Sequence, residues 1–337
     1  MALTFRKIES PFELLDRIKP WLEFLSRAGY NNIFYHPLWH LAWLDSIGLM
    51  RKMEFFLAEE NGEWLGILPL VRFRSLRDGF LRVLEFSGGT QADYHDLLVV
   101  PGYENKVLDL FSGPFQELQK KVSLVRLHTV SSGSLLLKWD AILKNSYKLI
   151  PETIPYLPLR EGLDYSELEE NWSSSHRLDI RRQIRRLNEI GALSLERIES
   201  VKEASGILSP FLKTHNLRWQ NKDLSIKIYN RMVKKFMLQL INRLWSQGFI
   251  HFSVLRLNGK PISYHFGFIY EGVFYWYKPA YVLKYQKYSP GKVHVAKLIG
   301  EGLRERWKCF DFLLGDENYK SLWTKEKCSR FTIIKYN

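Results

Sequence analysis

Two polar segments near the C-terminal end of the chain carry the residue types best suited to chemistry. The first, Tyr288-Ser289-Pro290-Gly291-Lys292, follows an aromatic strand pattern and opens an apolar periodic stretch typical of a helix. Proline is favoured at the first helical position, and the free N–H groups of a first helical turn attract anions. We therefore expect the Ser289 hydroxyl to cap this helix. We assign Ser289, Pro290, Gly291 and Lys292 to a binding site for a phosphorylated ligand.

The second segment, residues 310–320, has the pattern of a short strand followed by a polar turn. Asp311 interrupts its apolar run, and a carboxylate inside a strand is costly to bury unless it is paired. Lys320 could neutralise a phosphate or a developing oxyanion, and Tyr319 precedes it in the same turn. Asp311 and Lys320 are therefore candidate catalytic residues, and Tyr319 is a candidate ligand contact. A structural ion pair and an exposed lysine are the alternatives.

Three further candidates lie just before these segments. His265, on a predicted strand, could act as a general base that deprotonates a substrate group, although a lone histidine on a strand is more often structural. Tyr288 is a candidate acid that protonates a leaving group. Tyr285 belongs to a dense group of tyrosines that could stack on a sugar or a base, with an aromatic core as the alternative.

In the N-terminal half, the sequence Asp93-Tyr94-His95-Asp96 places an acid on each side of a histidine. An acid that orients a histidine is a common arrangement for a general base. We therefore interpret Asp93, His95 and Asp96 as candidate contacts to the substrate that accepts the transferred group in a transfer reaction. A polar strand start with local hydrogen bonds is the alternative.

A basic helix is predicted at Ser174–Ile190, with a cap from one of the serines at 173–175. Its arginines recur four residues apart, and like charges at this spacing repel each other. Phosphate groups along the helix would relieve the repulsion, because arginine binds phosphate with two hydrogen bonds. The candidate contacts are Arg177, Arg181 and Arg185. An exposed basic face paired with acids such as Asp179 is the alternative.

Composition limits the possible classes. The 337-residue chain carries a net charge of +13, which suggests an anionic partner such as nucleic acid, a phosphorylated cofactor, a saccharide or a membrane surface. No apolar stretch is long enough to span a membrane, and the N-terminal residues lack a secretory pattern. We expect a cytoplasmic protein with no stable membrane insertion. Cys309 and Cys328 lack a metal-binding spacing, so we expect no metal.

The order of predicted elements repeats once along the chain. Each half has helices, then a hairpin with Asn-Gly at its tip (Asn61-Gly62 and Asn258-Gly259), then further strand, helix and strand. A proline-rich stretch at residues 151–158 is interpreted as the linker. We therefore predict two domains, residues 1–155 and 156–337, of the α/β (α+β) class.

These segments together resemble the GNAT-like acyltransferases of the CelD/BcsL type, which are related to the Fem-type peptidoglycan bridge-forming transferases. The matching segments are residues 34–39 with Trp43, 66–70, 87–89 with 93–96, 177–186, 288–291 and 311–320. The resemblance implies tandem GNAT-like domains, each with a mixed, mostly antiparallel sheet flanked by helices. The GNAT cofactor turn usually carries several glycines, whereas this chain has Gly291 alone at that turn, as the CelD-like and Fem-like branch does.

The resemblance also implies a function. GNAT-type members use acetyl-CoA or another acyl-CoA, so the expected reaction is N- or O-acyl transfer to a saccharide or cell-envelope precursor, as in polysaccharide biosynthesis. Fem-type relatives use aminoacyl-tRNA, which makes tRNA a second possible partner. A binding module for RNA or glycan that lacks catalysis is the third alternative. The number of copies in an assembly is left open.

Overall fold

The computed structural model describes residues 2–143, 147–217 and 224–337. These residues form two compact units. Unit 1 comprises the chain up to Glu152 together with Ser329–Asn337, and unit 2 comprises Thr153–Cys328. The last strand lies in unit 1 because it pairs with a strand of that unit, so the division differs from the expected domains 1–155 and 156–337 at the C-terminal end.

Unit 1 is built on one mixed sheet. Its strands are β1 (Thr4–Ile8), β2 (Lys52–Glu60), β3 (Glu63–Ser75), β4 (Leu81–Phe86), β5 (Leu98–Val99), β6 (Leu124–Ser131) and most of β13 (Lys327–Tyr336). Its helices are α1 (Pro11–Leu15), α2 (Ile18–Ala28), α3 (Pro37–Leu44), α4 (Glu104–Gln119) and α5 (Asp140–Leu143). The order is β1-β2-β3-β4-β6-β13, with β5 on β3. Among the strand ladders of this sheet in the described residues, β4–β6 is the parallel one, and the others are antiparallel.

Unit 2 repeats this plan. Its strands are the second half of β7 (Lys148–Pro158), β8 (Leu193–Arg197), β9 (Ile250–Leu257), β10 (Lys260–Tyr270), β11 (Val273–Tyr281) and β12 (Cys309–Asp311). Its helices are α6 (Tyr165–Glu170), α7 (Ser174–Ile190), α8 (Val201–Asn216), α9 (Leu224–Leu244) and α10 (Pro290–Arg304). The order is β7-β12-β11-β10-β9-β8. Only β11 and β12 run parallel.

Large apolar side chains hold each sheet to its helices. In unit 1 the α4 residues Phe111 and Phe115 pack with Phe56 and Phe86 of the sheet. In unit 2 the α10 residues Leu298 and Ile299 belong to a cluster with Phe274, Trp276 and Phe310. Burial of such side chains is worth about 1.5–3 kcal/mol each, so these clusters dominate the stability of both units. The mixed, mostly antiparallel sheets with flanking helices confirm the predicted fold class.

Several local predictions are confirmed in detail. Both Asn-Gly turns have positive φ at both residues, 55° and 80° at Asn61-Gly62 and 49° and 73° at Asn258-Gly259. The basic helix has the expected bounds, and the Ser173 hydroxyl accepts the His176 N–H as its cap. A hairpin of this kind needs residues that tolerate positive φ, which explains why this sequence signal is dependable.

The predicted linker is wrong. Residues 148–158 form strand β7, in which Leu157 and Tyr156 pair with Phe310 and Asp311 of β12. The three prolines of β7 have no N–H to donate to a neighbouring strand, but their carbonyl groups can still accept. The Pro155 carbonyl, for example, accepts the Phe312 N–H. The strand that follows Asp93–Asp96 is short, because β5 comprises only Leu98–Val99.

No helix in the described ranges is long and apolar enough to cross a membrane.

Candidate functional site

The parallel strands of unit 2 separate after a short ladder. β11 and β12 pair only at Val273–Cys309, Phe274–Phe310 and Tyr275–Asp311. β11 then continues to Tyr281, whereas the chain after β12 stays with β7, through bonds from Phe312 and Gly315 to the β7 backbone. We call the region between residues 276–281 and residues 312–315 the unit 2 opening.

Asp311 and Lys320 shape the turn that borders this opening. Asp311 is 5% exposed, and its Oδ1 accepts the Leu313 N–H at 2.8 Å. Leu313 has a φ of 59°, which is costly for a branched side chain. The Lys320 ammonium, 3% exposed, donates to the carbonyls of Leu313 and Leu314 and pairs with Glu317 at 2.7 Å. Both candidate catalytic residues therefore hold the turn in place, and a catalytic role for either stays a prediction.

Tyr319 reaches from this turn back to β11. Its hydroxyl accepts the Trp276 indole N–H at 3.2 Å. Trp276 is 3% exposed and stacks on His265, with ring centroids 4.2 Å apart and planes 10° apart. Tyr319 thus lies at the unit 2 opening, and its assignment as a ligand contact stays a prediction. Trp276 belongs to the dense aromatic group for which stacking on a ligand and an aromatic core were the two sequence-based interpretations.

His265 lies under an irregularity in the β10–β11 ladder. The pairing shifts between Phe266 and Phe268, so Gly267 stands opposite two residues of β11. A Cβ on Gly267 would lie 2.1 Å from the Tyr275 carbonyl oxygen, which explains the glycine. The His265 Nε2 accepts the Tyr277 N–H at 3.2 Å. Burial holds the pKa of His265 well below its usual range, so the ring is a neutral acceptor.

The N-terminus of α10 differs from the predicted cap. Ser289 occupies the N-cap position, but its φ of 47° and ψ of 53° are left-handed, and its side chain makes no capping hydrogen bond. The prediction that its hydroxyl caps the helix is wrong, because this backbone conformation is not the extended one that capping requires. Pro290 stands at the first helical position as expected, and α10 has no acid in its first turn.

Gly291 leaves open space beside that first turn. A Cβ built there meets only the Tyr281 ring, at an ordinary contact distance of 3.5 Å. Its φ is not positive, so neither backbone strain nor crowding within the described protein demands a glycine. A bare position next to free helix N–H groups is the arrangement that lets a ligand approach the backbone closely. Tyr281, which flanks it, was missing from the sequence-based site.

Helix α7 packs beside α10, and its charged side chains reach the first turn of α10. The Lys292 ammonium pairs with Asp179, whose carboxylate also accepts from Arg182 at 2.6 Å. Partial burial raises the pKa of Asp179, but the hydrogen bonds from Lys292, Gln183 and Arg182 outweigh it and bring that pKa to about 2. This three-residue cluster keeps one net positive charge. The sequence analysis named Asp179 as a partner of the helix arginines, but no sequence signal connects it with Lys292, 113 positions away.

The remaining α7 arginines have protein partners. Arg177 donates to the carbonyls of Glu169, Glu170 and Trp172, and so caps the end of α6. Arg181 pairs with Glu169 at 2.5 Å and Arg185 with Glu189 at 3.7 Å. Arg181 and Arg185 are still 62% and 72% exposed at their side chains, so they remain accessible to an anion.

Tyr285 and Tyr288 pack against α7. Both are half-buried beside an apolar cluster that includes Leu187 and Val293. The Arg186 guanidinium lies 4.8 Å from the centre of the Tyr288 ring, and its Nη1 donates to the Lys287 carbonyl at 3.1 Å. These contacts fix the segment that leads into α10. They do not by themselves place the Tyr288 hydroxyl at the unit 2 opening.

His176, near the start of α7, was missed by the sequence-based reasoning. Its residue is 3% exposed, and both ring nitrogens are buried without a hydrogen-bond partner in the described chain. The ring packs against Trp172 and Trp323. Burial and the nearby Lys292 charge lower its pKa to about 4, so it is neutral at pH 7. Only its place at a helix start distinguishes it in sequence.

Unit 1 contains a corresponding parallel strand pair, β4 and β6, but a histidine of the chain packs beyond its ladder. β4 and β6 pair at three positions, the last being Glu85–Arg126. Beyond that point His95 forms a parallel bridge with Val130, stacks on Phe86 at 5.0 Å and bonds through Nδ1 to the Thr129 hydroxyl at 2.8 Å. His95 is 3% exposed. Helix α4 carries Glu104 in its first turn, and that carboxylate accepts the Gly102 N–H at 2.9 Å.

Asp93 and Asp96 flank this histidine in unit 1. The Asp96 carboxylate accepts from the Ser134 hydroxyl and from the Leu97 N–H. Burial raises the pKa of Asp96 to about 6 despite these bonds and the Arg330 charge. Asp93 is half-buried. The role of these residues as acceptor contacts stays a prediction.

Across the described ranges, no group of three or more His, Cys, Asp or Glu side chains has the geometry of a metal site.

The geometry can be compared with known proteins. Residues 174–321, all within unit 2, match the model of the acetyltransferase (GNAT) domain. The sequence matches no curated protein. Similar solved structures include FemX (11% identity, TM-score 0.60, covering 97% of this chain and 96% of FemX). A tandem GNAT protein from the clavulanic acid biosynthesis pathway has 11% identity and a TM-score of 0.59, covering 99% and 98%.

A third similar structure is the C-terminal domain of a putative lysylphosphatidylglycerol synthetase from Agrobacterium fabrum, with 9% identity, a TM-score of 0.57 and coverage of 96% and 92%. At such identities these likenesses concern the fold alone. They extend over nearly the whole chain, whereas the family match covers only the second unit. Residues 174–321 of unit 2 are therefore similar to the acetyltransferase (GNAT) domain, within a chain whose fold is similar to that of a tandem GNAT protein.

Proposed function

We propose that unit 2 transfers an acyl group from an acyl-CoA, with acetyl-CoA as the first candidate. The observation that carries the proposal is the sequence of features along one stretch of chain. β11 borders the unit 2 opening, and α10 follows it with an uncapped first turn and a bare Gly291. The family match of residues 174–321 supports acyl transfer as the class of reaction.

The donor diphosphate would lie against the N–H groups of Gly291 and Lys292. A first helical turn offers unpaired N–H groups and the positive end of the helix dipole. The Lys292–Asp179–Arg182 cluster adds one net positive charge while fixing the Lys292 side chain by its ion pair. A fixed charge loses little entropy when the anion binds, which favours affinity.

The thioester arm would extend into the unit 2 opening beside β11. An acceptor nitrogen or oxygen attacks the acyl carbon, the carbon–sulfur bond breaks, the acceptor loses a proton and the leaving thiolate gains one. A backbone N–H of the irregular β11 segment is our candidate donor to the developing oxyanion. We assign His265 to positioning, because its Nε2 holds the Tyr277 N–H of that segment.

Three finer proposals rest on the sequence resemblance. We propose that the acceptor is a saccharide or cell-envelope precursor and that the chain is related to the CelD/BcsL type. Residues 1–155 are proposed to be a second GNAT-like domain that serves as a scaffold. None of these three statements depends on the donor site.

A glycine pair in α10 tests the donor proposal. Gly291→Ala adds a methyl group where the diphosphate approaches, whereas Gly300→Ala adds one in the same helix where the nearest atoms are 3.7 Å away. Both changes favour the helix by up to about 1 kcal/mol, so neither should unfold the protein. Calorimetry with CoA and acetyl-CoA should show about tenfold weaker binding for Gly291→Ala, equivalent to one lost charged hydrogen bond, and no change for Gly300→Ala. Equal affinity in both variants would contradict the proposal.

An aminoacyl-tRNA donor is the second candidate. The exposed Arg181 and Arg185 side chains, on the helix beside α10, are the observation that favours it. Binding of total tRNA that weakens steeply with salt, without CoA binding, would shift the assignment to this donor. The same binding with no transfer to any acceptor would favour a module without catalysis.

A further inference from the structure

Unit 1 exposes large apolar side chains that its own core does not use. Five of the most exposed ones are Phe12 (80%) in α1 and, in turns, Leu49 (63%), Met50 (85%), Leu76 (73%) and Phe80 (63%). Single exposed apolar residues are common and need no explanation, but a group in one place indicates a binding surface. Their positions in the sheet decide whether they form such a group.

The strand register places all five at the same end of the unit 1 sheet. β1 ends where β2 begins, with Ile8 opposite Phe55, so Phe12 in α1 follows at this end. Leu49 and Met50 immediately precede β2. Leu76 and Phe80 lie in the turn between β3 and β4, closed by the Ser75–Leu81 pair. We call these five residues the apolar end of unit 1.

Basic side chains are interleaved with the apolar end. Lys52 is 55% exposed at its side chain, and Arg74, Arg77 and Arg82 are exposed. The acid within the β3–β4 turn, Asp78, is already bound by Arg126 and the Ser75 hydroxyl. The other nearby acids are Glu9, which pairs with Lys7 and Lys52, Glu13, which pairs with Arg6 and Arg17, and the exposed Asp16. The surface therefore keeps an excess of positive charge.

The β3–β4 turn is held rigidly with its apolar residues outward. The Phe80 N–H bonds to the Ser75 carbonyl at 2.7 Å, and the Ser75 hydroxyl bonds to Asp78. Phe80 has a φ of 64°, which is rare for a bulky residue and unfavourable. Asparagine or glycine would fit this backbone better. A strained aromatic residue that is 63% exposed makes no apparent contribution to the fold.

We propose that the apolar end of unit 1 docks on a membrane surface that contains anionic lipids. Apolar side chains enter the headgroup boundary while neighbouring lysine and arginine side chains contact lipid phosphates. A symmetric dimer through this face would bring like charges together. Leu49, Met50 and Leu76 cannot stack on bases, so nucleic acid would leave them exposed. The proposal is independent of the acyl-transfer assignment.

Vesicle flotation of the full chain tests the proposal. One set of vesicles is phosphatidylcholine alone, and the other contains about one third phosphatidylglycerol. We expect binding to the anionic vesicles that weakens with added salt. The double variant Met50→Ser/Phe80→Asn should lower the partition coefficient at least tenfold, and Arg77→Gln about fivefold, from the roughly 1 kcal/mol per basic residue near such a surface. Asparagine suits the positive φ of residue 80, so the fold should be kept.

Leu178→Ser is the matched control, because Leu178 is 64% exposed but lies on α7 of unit 2. It should bind vesicles as the wild type does. No binding to anionic vesicles, or binding that Met50→Ser/Phe80→Asn leaves unchanged, would overturn the proposal. Loss of self-association, of RNA binding or of capture by an acidic protein in that variant, with vesicle binding intact, would overturn it in favour of that other partner.

Discussion

The two units carry the same parallel strand pair but differ in what lies beyond it. In unit 1, His95 bridges to β6 and stacks on Phe86, so a side chain of the chain itself occupies the place where β4 and β6 separate. In unit 2, the ladder ends at Tyr275–Asp311, and a braced turn borders β11. This difference supports the proposal that the same fold serves as a scaffold in unit 1 and as a site in unit 2.

The helices that join these strands differ in the same sense. The first turn of α4 has its own carboxylate, Glu104, which neutralises the positive end of the helix dipole. The first turn of α10 has no acid and a bare Gly291. Neither helix has a side-chain cap at its N-terminus. On this account, a few residues at corresponding places determine which unit binds an anionic donor. Each of the following predictions tests that contrast or what the units share.

The largest effect should be acid lability, which the units share. Burial lowers the pKa of four histidines in unit 1 (His36, His40, His95 and His128) and four in unit 2 (His176, His251, His265 and His294). In the unfolded chain these histidines have a pKa of about 6.5 and bind protons below that pH, whereas the buried rings stay neutral. Their contribution to stability is therefore fully present above pH 6.5 and is lost as the pH drops towards 4. We expect a loss of about 1 kcal/mol per pH unit for each buried ring.

Guanidinium unfolding at pH 7.5, 6.5 and 5.5 measures this loss. Stability that stays constant over this range would show that the buried rings are not held neutral. Loss confined to one unit, seen by hydrogen exchange, would break the symmetry proposed here.

Gly267→Ala should damage unit 2 directly. Its Cβ would overlap the Tyr275 carbonyl oxygen and crowd the His265 ring, so we expect a loss of about 2–4 kcal/mol in the free energy of unfolding. Gly113→Ala in α4 of unit 1 is the control, because no atom lies within 4 Å of its Cβ. That change should stabilise the protein by up to about 1 kcal/mol. Thermal unfolding of both variants decides, and an unaffected Gly267→Ala protein would refute the described irregularity of β11.

Gly291→Glu should give α10 the acid that α4 already has. A carboxylate in this turn opposes a diphosphate by charge and by volume, so we expect CoA affinity to fall roughly a hundredfold. Glu104→Gln removes the acid from α4 and should leave CoA affinity unchanged. Titration calorimetry compares the two, and a changed CoA affinity in Glu104→Gln, or an unchanged one in Gly291→Glu, would contradict the assignment of the donor to unit 2.

Asp96→Asn should give the smallest effect. The fold raises the Asp96 pKa to about 6, whereas the value in the unfolded chain is about 4. Ionisation of this carboxyl therefore costs stability that grows as the pH rises from about 4 and is fully present above 6. An asparagine can keep the bonds from Ser134 and Leu97 without the charge. We expect about 1–2 kcal/mol of added stability at pH 8 and little change near pH 3.5. If instead turnover falls while stability is unchanged, Asp96 is the acceptor contact that the sequence suggests.

Much of the fold was predictable because its signals are local. The bounds of α7 and the positions of both Asn-Gly turns agree with the predicted ones, since capping serines, apolar periodicity and turn residues act on neighbouring residues. The prolines at residues 151–158 led to the wrong interpretation, because their cost in a strand depends on which backbone groups the neighbouring strand uses. The return of β13 to unit 1 is a pairing between distant parts of the chain, which local patterns do not contain.

The candidate site was predictable only in part. The turn that opens α10 and the turn after β12 were located from composition and spacing. The left-handed Ser289, the Lys292–Asp179 pair across 113 positions and the stacking of His265 on Trp276 arise from tertiary packing. His95 has a motif that resembles a general base, yet the structure buries it against Phe86. Side-chain type alone does not distinguish these outcomes.

Hydrogen–deuterium exchange with and without saturating CoA tests the central claim most directly. We expect CoA to slow exchange at residues 276–281 and 288–293 of unit 2. Exchange at residues 86–89 and 102–107 of unit 1 should be unchanged. The Gly300→Ala protein should show the same pattern, and Gly291→Ala should show it only at higher CoA concentration. Protection at the unit 1 segments, or bound CoA that protects neither α10 nor β11, would contradict the account.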